Sequence, residues 1–514
     1  MKKTFLLDTI LVLFLGALTS LSLPPYNFFL INFLTFSIFF IFLFKKQNNI
    51  YQKKIFFYYG WLFGFSYFST NIYWITISLT FDENFRFLIP IAQILIPAFL
   101  ALFYGIVTFL FYVIKLKKIL SSFFLFTLLF GLVEFLRGNV LTGFPWNLII
   151  YSFSESLNFI SLISVIGTYS LNLLAITLFV APAILIIRKS KIEIIVFIII
   201  FFIPIITYIY SSFYKQNFLK KEIKKNLQII RIIGSNISLD RFYENNQSKS
   251  ILEELIKLSS PEKNKKILFL WPEGIISDIY QDELDIYKDI ISKNFDKNHL
   301  VGLGITSRSF VGSKYENFNS FIILDNNLNI IENYKKINLV PFGEFLPLED
   351  FFNKLGLKAI TNDFGSYEKG NYRNIIQTSE EFGEIKFLPL ICYEIIYSGK
   401  LTKDLNFDYI LNISEDGWFG ESIGPKQHFV HSIFRAIESG KYVVRSSNNG
   451  MAAIINPLGE IEKKIDYGKD GFIDFEESRV VDTTIFSVYG NKIFFLIILL
   501  YIFLVFSFNR IENE

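Results

Sequence analysis

The only thiol in this 514-residue chain belongs to Cys392, which ends the strand-like run Phe387-Leu-Pro-Leu-Ile-Cys. A side chain at the end of a strand is well placed to project into a cleft, and a thiolate is a strong nucleophile. A carboxylate, Glu394, follows two residues later. The alternative interpretation of Cys392 is a small buried hydrophobic residue, which is the usual fate of a free cysteine.

Three histidines could in principle activate this thiol: His299, His428 and His431. The last two are three residues apart in a helical pattern at 425–440, where a solvated or capped helix face is the simpler interpretation. A zinc site built from these two histidines and Cys392 is disfavoured, because catalytic zinc also needs carboxylates at suitable spacing around its ligands.

A carboxylate base together with a cation that holds the developing oxyanion is the remaining way to activate a thiol. Glu273 follows an apolar strand and a proline that stops the strand ladder, although a helix N-cap partner would look the same. Lys335 and Lys336 lead into an apolar run that ends at Glu344. Lysine pairs are usually solvated hairpin residues, so each of these signals is weak when taken alone.

In this order, Glu273, Lys336 and Cys392 resemble the Glu-Lys-Cys triad of the carbon–nitrogen hydrolase (nitrilase) superfamily. The surrounding motifs are more specific, and they are similar to those of bacterial apolipoprotein N-acyltransferases. These motifs are Trp271-Pro-Glu, Leu339-Val-Pro-Phe-Gly-Glu, Ile391-Cys-Tyr-Glu, Asn412-Ile-Ser-Glu-Asp-Gly-Trp-Phe-Gly, Gly424-Pro-Lys-Gln-His, Leu136-Arg-Gly, Thr142-Gly-Phe-Pro-Trp and Gly167-Thr-Tyr-Ser. The resemblance covers nearly the whole chain, and the family spacing back from Glu344 selects Lys336 rather than Lys335.

Two positions depart from the family pattern. Asn338 stands where the family often has histidine, and no tryptophan follows the first strand near Arg241-Phe-Tyr. The first change concerns packing or hydrogen bonding around the site, and the second concerns how the acyl chains are gripped. Neither change removes a reacting group.

The resemblance implies transfer of a fatty acyl group from a membrane phospholipid, typically phosphatidylethanolamine, to the N-terminal amine of a diacylglyceryl apolipoprotein. Cys392 would carry the acyl group as a thioester, Glu273 would act as the base, and Lys336 would stabilise the oxyanion. Glu344 and Glu394 would orient Lys336 and shape the cavity. The resemblance implies no metal and no organic cofactor.

The elements that must position these residues lie within 227–480. Their pattern is typical of one α/β domain. Helical patterns at 248–259, 282–293 and 425–440 alternate with apolar, β-branched runs. The expected strands are Leu227–Ile233, Lys266–Trp271, His299–Ile305, Ser320–Leu324, Ile385–Cys392, Tyr409–Ile413, Tyr442–Arg445 and Met451–Ile455. The resemblance implies that they form a nitrilase-like αββα sandwich.

Both ends of the chain are strongly apolar, and with 52% hydrophobic residues and a mean hydropathy of +0.40 the chain is not a water-soluble globule. Eight segments are long enough to cross about 30 Å of hydrocarbon. They are 4–22, 26–44, 55–76, 87–114, 119–136, 157–187, 193–213 and 491–508. The first is alternatively a signal peptide, although its cleavage signature is poor.

The sequence therefore predicts a membrane α-helical bundle joined to the α/β domain. The expected order is a seven-span region at 1–213, a linker at 214–226, the catalytic domain at 227–480, a final span at 491–508 and a tail at 509–514.

Basic residues in the short loops predict the orientation of these spans. With the N-terminus in the cytoplasm, twelve loop Lys and Arg residues fall on the cytoplasmic side, and only Arg86 and Arg137 fall on the other. This places both termini in the cytoplasm of a bacterium and the catalytic domain on the outer, periplasmic face of the inner membrane. The net charge of +3 gives no general attraction to nucleic acid.

An apolar segment interrupted by charged residues, 345–358, follows Glu344. This pattern predicts a mobile arm lying at the membrane interface, or else an ordinary surface helix over the core.

Two rival functions remain. A membrane-tethered amidase or nitrilase would use the same triad but give the thioester to water. A scaffold or transporter is disfavoured, because the spans lack an intramembrane charge network and Asp8, Glu134 and Arg137 lie near span ends.

Overall fold

The computed structural model describes residues 2–47, 53–244, 246–312, 314–347, 366–399 and 401–511. Two compact units divide the chain: Met1–Asn217 with Thr484–Glu514, and Phe218–Thr483. We call them the helical unit and the α/β unit. The soluble segment is therefore an insertion between helices of one body.

The helical unit is built from apolar helices, because every backbone polar group in hydrocarbon must find its partner within the segment. Its helices are α1 (Lys2–Ser20), α2 (Leu30–Lys46), α3 (Lys53–Asn71), α4 (Ile89–Ile114), α5 (Ile119–Arg137), α6 (Leu157–Ile160), α7 (Ile163–Ile187), α8 (Lys191–Phe201), α9 (Ile203–Lys220), α13 (Ile485–Tyr489) and α14 (Lys492–Ile511). The α/β unit contributes α10, α11 and α12, whose bounds are given below. Each of the eight expected spans falls on one of these helices or on a helix pair.

Five helical stretches among the described residues are long and apolar enough to cross a membrane by length and composition. They are Glu83–Ile114, Ile119–Arg137, Ile163–Ile187, Lys191–Lys220 and Lys492–Arg510, with the shorter apolar helix Thr4–Ser20 beside them. Of the other expected spans, α2 has only 17 residues, and α3 contains Gly, Ser and Tyr among its apolar residues. The interval 214–226 is mostly structured, because α9 runs to Lys220 and the next strand begins at Ile223.

A buried ion pair lies inside the helical unit, where Arg137 Nη2 is 2.5 Å from Glu134 Oε2 and neither side chain is exposed. The hydroxyl of Tyr104 donates to the other oxygen of Glu134 over 2.6 Å. Arg137 also donates to the carbonyl oxygens of Phe144 and Asn147. Both charges are thus satisfied within the unit, and they fix the loop that follows α5.

The described residues of the α/β unit form twelve strands in one hydrogen-bonded sheet. They are β1 (Ile223–Ser235), β2 (Ile267–Leu270), β3 (His299–Val311), β4 (Lys314–Leu324), β5 (Ile330–Lys335), β6 (Ile376–Gln377), β7 (Lys386–Ile391), β8 (Tyr409–Glu415), β9 (Tyr442–Asn448), β10 (Ala452–Ile455), β11 (Ile461–Ile465) and β12 (Gly471–Arg479). Their order is β5-β4-β3-β2-β1-β9-β8-β7-β6, with β12 on β1 and β10–β11 on β9. The pairs β1–β2, β2–β3, β1–β9, β8–β9 and β7–β8 are parallel.

The two halves of this sheet face each other. Glu273, just past β2, accepts a hydrogen bond from the backbone N–H of Glu415 on β8, although these strands are not neighbours in the sheet. Gly304 on β3 likewise leaves no room for a Cβ, which would lie 2.9 Å from the side chain of Ile413 on β8. The sheet therefore folds into two facing layers.

Helices cover the outer face of each layer. Helices α10 (Ser248–Ser259) and α11 (Lys288–Asn294) pack on the first layer, where Leu252, Leu255 and Ile291 share a core with Phe269 and Val301. Helix α12 (Gly424–Ser439) lies against the second layer and is buried along almost all of its length. Alternate residues of β2, Ile267 and Phe269, point into this outer core, as the period of a strand requires. The arrangement confirms the expected nitrilase-like α/β fold.

The α/β unit begins and ends on paired strands. Strand β1 is antiparallel to β12, with Ile223 opposite Arg479 and Gly234 opposite Gly471. The chain therefore enters and leaves this unit at one place.

Candidate active site

The expected site residues meet at one edge of the sheet, where the parallel strands end. Glu273 follows β2, Lys336 follows β5 directly, and Cys392 follows β7 directly. Because parallel strands align their carboxyl ends, residues far apart in the chain converge there. Glu344 lies in the turn after Lys336.

The Lys336 ammonium lies between two carboxylates. Its Nζ is 3.0 Å from Glu273 Oε1 and 2.9 Å from Glu344 Oε1, and the side chain is only 1% exposed. Although burial by itself lowers the pKa of Lys336, the two carboxylates outweigh it and raise that pKa well above the usual value. The lysine is therefore held as a cation between the two carboxylates.

Asn319, on β4, completes this group and was not predicted. Its side-chain amide donates to Glu273 Oε1 over 2.7 Å and to Glu344 Oε1 over 2.6 Å. One amide thus holds both carboxylates in register with Lys336. The sequence signal was weak, because Asn319 lies just before the expected strand at 320–324. The face of the sheet on which its side chain lies depends on the pairing of β3 with β4.

Cys392 has a backbone conformation that favours glycine, with φ of +47°. Such a non-glycine residue is strained and persists only where its surroundings hold it. Burial and the charge of Glu273 raise the pKa of the thiol well above its usual value, while Lys336 and a hydrogen bond with Ser414 lower it. The resting group is a neutral thiol within the electric field of both Glu273 and Lys336.

Glu394 does not bond to the Lys336 side chain; it organises the backbone on both sides of the site. Its carboxylate accepts hydrogen bonds from the N–H groups of Ile337, Asn338 and Ile391 at 2.9–3.1 Å. Arg373 lies 2.5 Å from the same carboxylate. Burial raises the pKa of Glu394, but Arg373 and these hydrogen bonds lower it overall, so it is an anion that ties the lysine loop to the cysteine turn.

A second buried network supports Cys392 from behind. Asp416 Oδ1 lies 2.8 Å from Nδ1 of His428, and Asp416 Oδ2 lies 2.7 Å from Nη2 of Arg445. His428 Nε2 lies 3.3 Å from the backbone carbonyl oxygen of Cys392. The interpretation of His428 and His431 as solvated or capped helix-face residues is wrong: both side chains are buried, because α12 is buried along almost all of its length.

The residues at the two positions that depart from the family pattern make specific contacts in the structure. Asn338 Oδ1 accepts a hydrogen bond from Arg373 over 3.0 Å. Near the absent tryptophan, the ring of Phe242 packs on Trp418 with 5.1 Å between centroids, and Arg241 pairs with Glu415. An aromatic surface is therefore present at that position, contributed by two segments.

The segment expected to form an interfacial arm lies mostly outside the described residues, which stop at 347 and resume at 366. Just after the described residues resume, the N–H of Tyr367 donates to the carbonyl oxygen of Glu344 over 2.8 Å. The hydroxyl of Tyr367 is 2.9 Å from Thr306 Oγ1. The described residues on either side of 348–365 are thus joined beside Glu344.

Together these groups can perform acyl transfer through a nucleophilic thiol. A carboxylate, a permanent cation and a thiol converge, with Asn319 and Glu394 fixing their geometry. Among the described residues, no group of three or more His, Cys, Asp or Glu is placed to hold a metal ion.

Comparison with known proteins gives matches to both units. Residues 15–181 match the Apolipoprotein N-acyltransferase N-terminal domain, and residues 282–477 match the Carbon-nitrogen hydrolase family. A protein of Wigglesworthia glossinidia brevipalpis named apolipoprotein N-acyltransferase is 33% identical over 93% of this chain and 93% of its own length. Proteins of the same name from Rhizobium leguminosarum and Rhizobium etli are 31% and 30% identical, over 92% and 89% of this chain and 90% and 88% of theirs.

Proposed function

The chain belongs to the apolipoprotein N-acyltransferase family, and from this premise we propose that Glu273, Lys336 and Cys392 carry out its acyl transfer. The observation that supports this most strongly is the Lys336 ammonium held between Glu273 and Glu344, beside a thiol that the charges of Glu273 and Lys336 both influence.

The first half-reaction acylates the thiol. Glu273 accepts the proton of Cys392, and the sulfur attacks the ester carbonyl of the donor. Lys336 stabilises the tetrahedral oxyanion. The carbon–oxygen bond then breaks, the proton on Glu273 passes to the departing alcohol, and a lysophospholipid leaves while the acyl group stays as a thioester.

The second half-reaction uses the same groups in turn. Glu273 accepts a proton from the incoming ammonium, and the free amine attacks the thioester carbonyl, again opposite Lys336. The carbon–sulfur bond breaks, the sulfur takes the proton held by Glu273, and Glu273 then accepts the second proton of the nitrogen and releases it to solvent as the amide leaves. The first half requires a base because the pKa of the Cys392 thiol is raised at rest, and the second requires one because an ammonium has no free electron pair with which to attack.

The donor in this proposal is a membrane phospholipid such as phosphatidylethanolamine, and the acceptor is the amine of a diacylglyceryl apolipoprotein. Both substrates carry acyl chains, and exposing them to water costs about 0.8 kcal/mol per CH₂, which is why the enzyme is embedded in a membrane. We further propose that the α/β unit faces the periplasm, in accord with the loop charges. Protease should then cut between residues 240 and 250 in intact spheroplasts, and cleavage only after lysis would refute this orientation.

Mass spectrometry of Cys392 tests the mechanism. Incubation with phospholipid alone should add one acyl group to the wild type, whereas Cys392→Ser should fold and insert normally but yield no thioester and no transfer. A labelled diacylglyceryl peptide should then discharge the thioester as an amide. Label released only as free fatty acid would favour the amidase-like alternative, and no acylation of Cys392 would remove it as the nucleophile.

A further inference from the structure

A long hairpin projects from the edge of the sheet that carries the site. Strand β3 pairs with β2 only as far as Gly302, yet it continues to Val311, paired with β4 along its length. Thr306 lies opposite Asn319, so the tip extends four to five residues beyond the site residues. At the rise of an antiparallel strand, this is about 15 Å.

The tip of this hairpin, residues 310–312 and 314–315, presents apolar side chains that the described part of the chain leaves exposed. Phe310 and Tyr315 are each 65% exposed, and Val311 is 52% exposed. The two rings lie on opposite strands of the pair in an edge-to-face contact, with 5.1 Å between centroids. An aromatic cluster exposed in this way is costly in water and marks a surface that meets an apolar partner.

The stem of the hairpin is held in place. Arg308 forms ion pairs with Asp282 at 2.8 Å and Glu283 at 3.1 Å, and its guanidinium lies 4.1 Å from the ring centroid of Tyr280. Lys335 donates to Ser309 Oγ over 2.8 Å. The direction of the tip is therefore fixed by contacts on both sides.

We propose that the tip of the β3–β4 hairpin inserts into the headgroup region of a phospholipid bilayer and brings the site edge against the lipid surface. Aromatic rings beside a basic residue are the side chains that settle at this depth, and Lys314, exposed at the turn, matches the charge of anionic lipid. The inference rests on the proposed function, since the acyl donor there is a bilayer phospholipid. The hairpin would keep the site at the depth of the ester bond.

An environment-sensitive label tests the insertion without requiring catalysis. In a Cys392→Ser background, Phe310→Cys is labelled with a nitrobenzoxadiazole dye, and the full chain is placed in nanodiscs of phosphatidylethanolamine and phosphatidylglycerol. Emission should shift to the blue, and doxyl-labelled lipid should quench it. The control is Ile461→Cys, a position that is 40% exposed. Ile461 pairs with Ile455, which pairs with Val443 near the start of β9, so it lies at the edge of the sheet opposite the site. Its dye should stay accessible to aqueous iodide.

Equal iodide access at both positions, without doxyl quenching, would overturn the proposal. A blue shift that depends on protein concentration in detergent, and not on doxyl lipid, would overturn it in favour of contact between two copies. Because the variant lacks the nucleophile, neither result depends on whether acyl transfer occurs, so failure of this inference is distinguishable from failure of the proposed function.

Activity gives a second, independent measurement. The double variant Phe310→Ser with Tyr315→Ser should lose about tenfold in acylation of Cys392 from nanodisc phospholipid, while its acylation by a short-chain p-nitrophenyl ester in detergent stays near that of wild type. Ile461→Ser should change neither rate. Equal losses with both donors would show that the hairpin supports the site itself and would overturn the lipid-contact role.

Discussion

His428 Nε2 lies 3.3 Å from the backbone carbonyl oxygen of Cys392, so this histidine meets the main chain of the proposed nucleophile. The contact is fixed from the other side by Asp416, 2.8 Å from Nδ1. A residue held at φ of +47° needs such support. We therefore regard His428 as a positioning residue.

Replacing His428 should slow acylation without changing its pH dependence. His428→Ala leaves the Cys392 carbonyl without this partner, and an unsatisfied buried acceptor costs about 1–3 kcal/mol, so kcat should fall by about 5- to 150-fold with little change in KM. His428→Gln, which keeps a donor, should recover part of the rate. If the acidic limb of the pH–rate profile disappears in His428→Ala, the histidine is a base rather than a support.

The two adjacent lysines should respond differently to truncation. Lys336→Ala removes the cation that faces the oxyanion, and the rate of Cys392 acylation should fall by about 10²–10³. Lys335 donates to Ser309 and lies over the ring of Phe318, so Lys335→Ala should cost less than about threefold. Comparison of the two acylation rates is the measurement, and equal losses or the reverse order would show that Lys336 is not the oxyanion partner.

Alkylation of Cys392 should depend on pH in opposite ways in two variants. Since the thiol pKa is raised by burial and by Glu273 and lowered by Lys336, Glu273→Gln should move the midpoint of iodoacetamide reaction to lower pH. Lys336→Met should move it to higher pH. Rates measured from pH 7 upward, with the product confirmed by mass spectrometry, should show both shifts relative to wild type.

The same Glu273→Gln variant should acylate slowly from phospholipid, because its thiol ionises more easily but has lost its base. A variant that alkylates faster and also acylates as fast as wild type would mean that the base lies elsewhere, with Glu344 the next candidate.

Loss of the Glu394 charge should destabilise the α/β unit. Glu394→Gln leaves Arg373 buried without its anion, and removing one partner of a buried ion pair costs about 3–5 kcal/mol, so the midpoint of thermal unfolding should fall. Glu476, exposed on β12, supplies the matched control Glu476→Gln, which should unfold like wild type. The pKa of Glu394 is lowered on folding, so the ionised carboxylate stabilises the wild type only while it stays charged. As pH falls below about 4.3 this stabilisation is lost, and the unfolding midpoints of wild type and Glu394→Gln should approach each other.

Periodicity and strand ends predicted much of this molecule. Helix α10 coincides with the expected 248–259, and the apolar runs before Glu273 and Cys392 are strands whose ends carry those residues to one edge. The expected helix at 282–293 is instead a 3-10 turn at Gln281–Tyr287 followed by α11. The direction of the parallel strands places Glu273 and Cys392 at the same edge of the sheet, and the facing of its two layers brings them together.

The remaining features depend on long-range pairing that no local pattern contains. The tip residues of β3 and β4 mix charged, polar and aromatic side chains, so the expected strands stopped at 305 and began at 320, whereas cross-strand pairing extends both to the turn. The register of β3 with β4 is what places the side chain of Asn319 within hydrogen-bond distance of Glu273. Arg373 reaches Glu394 from a segment whose place follows from the tertiary fold, and His428 is buried because α12 packs on the sheet.

The pairing of β1 with β12 has a consequence for biosynthesis. Strand β1 is among the first parts of the α/β unit to leave the ribosome, but its partner at 471–479 is made only after almost all the rest of that unit. The backbone groups along one edge of β1 therefore stay unpaired through most of translation, and an unpaired edge can form hydrogen bonds with a wrong strand. Synthesis of β12 closes that edge just before the last helix, α14, is made.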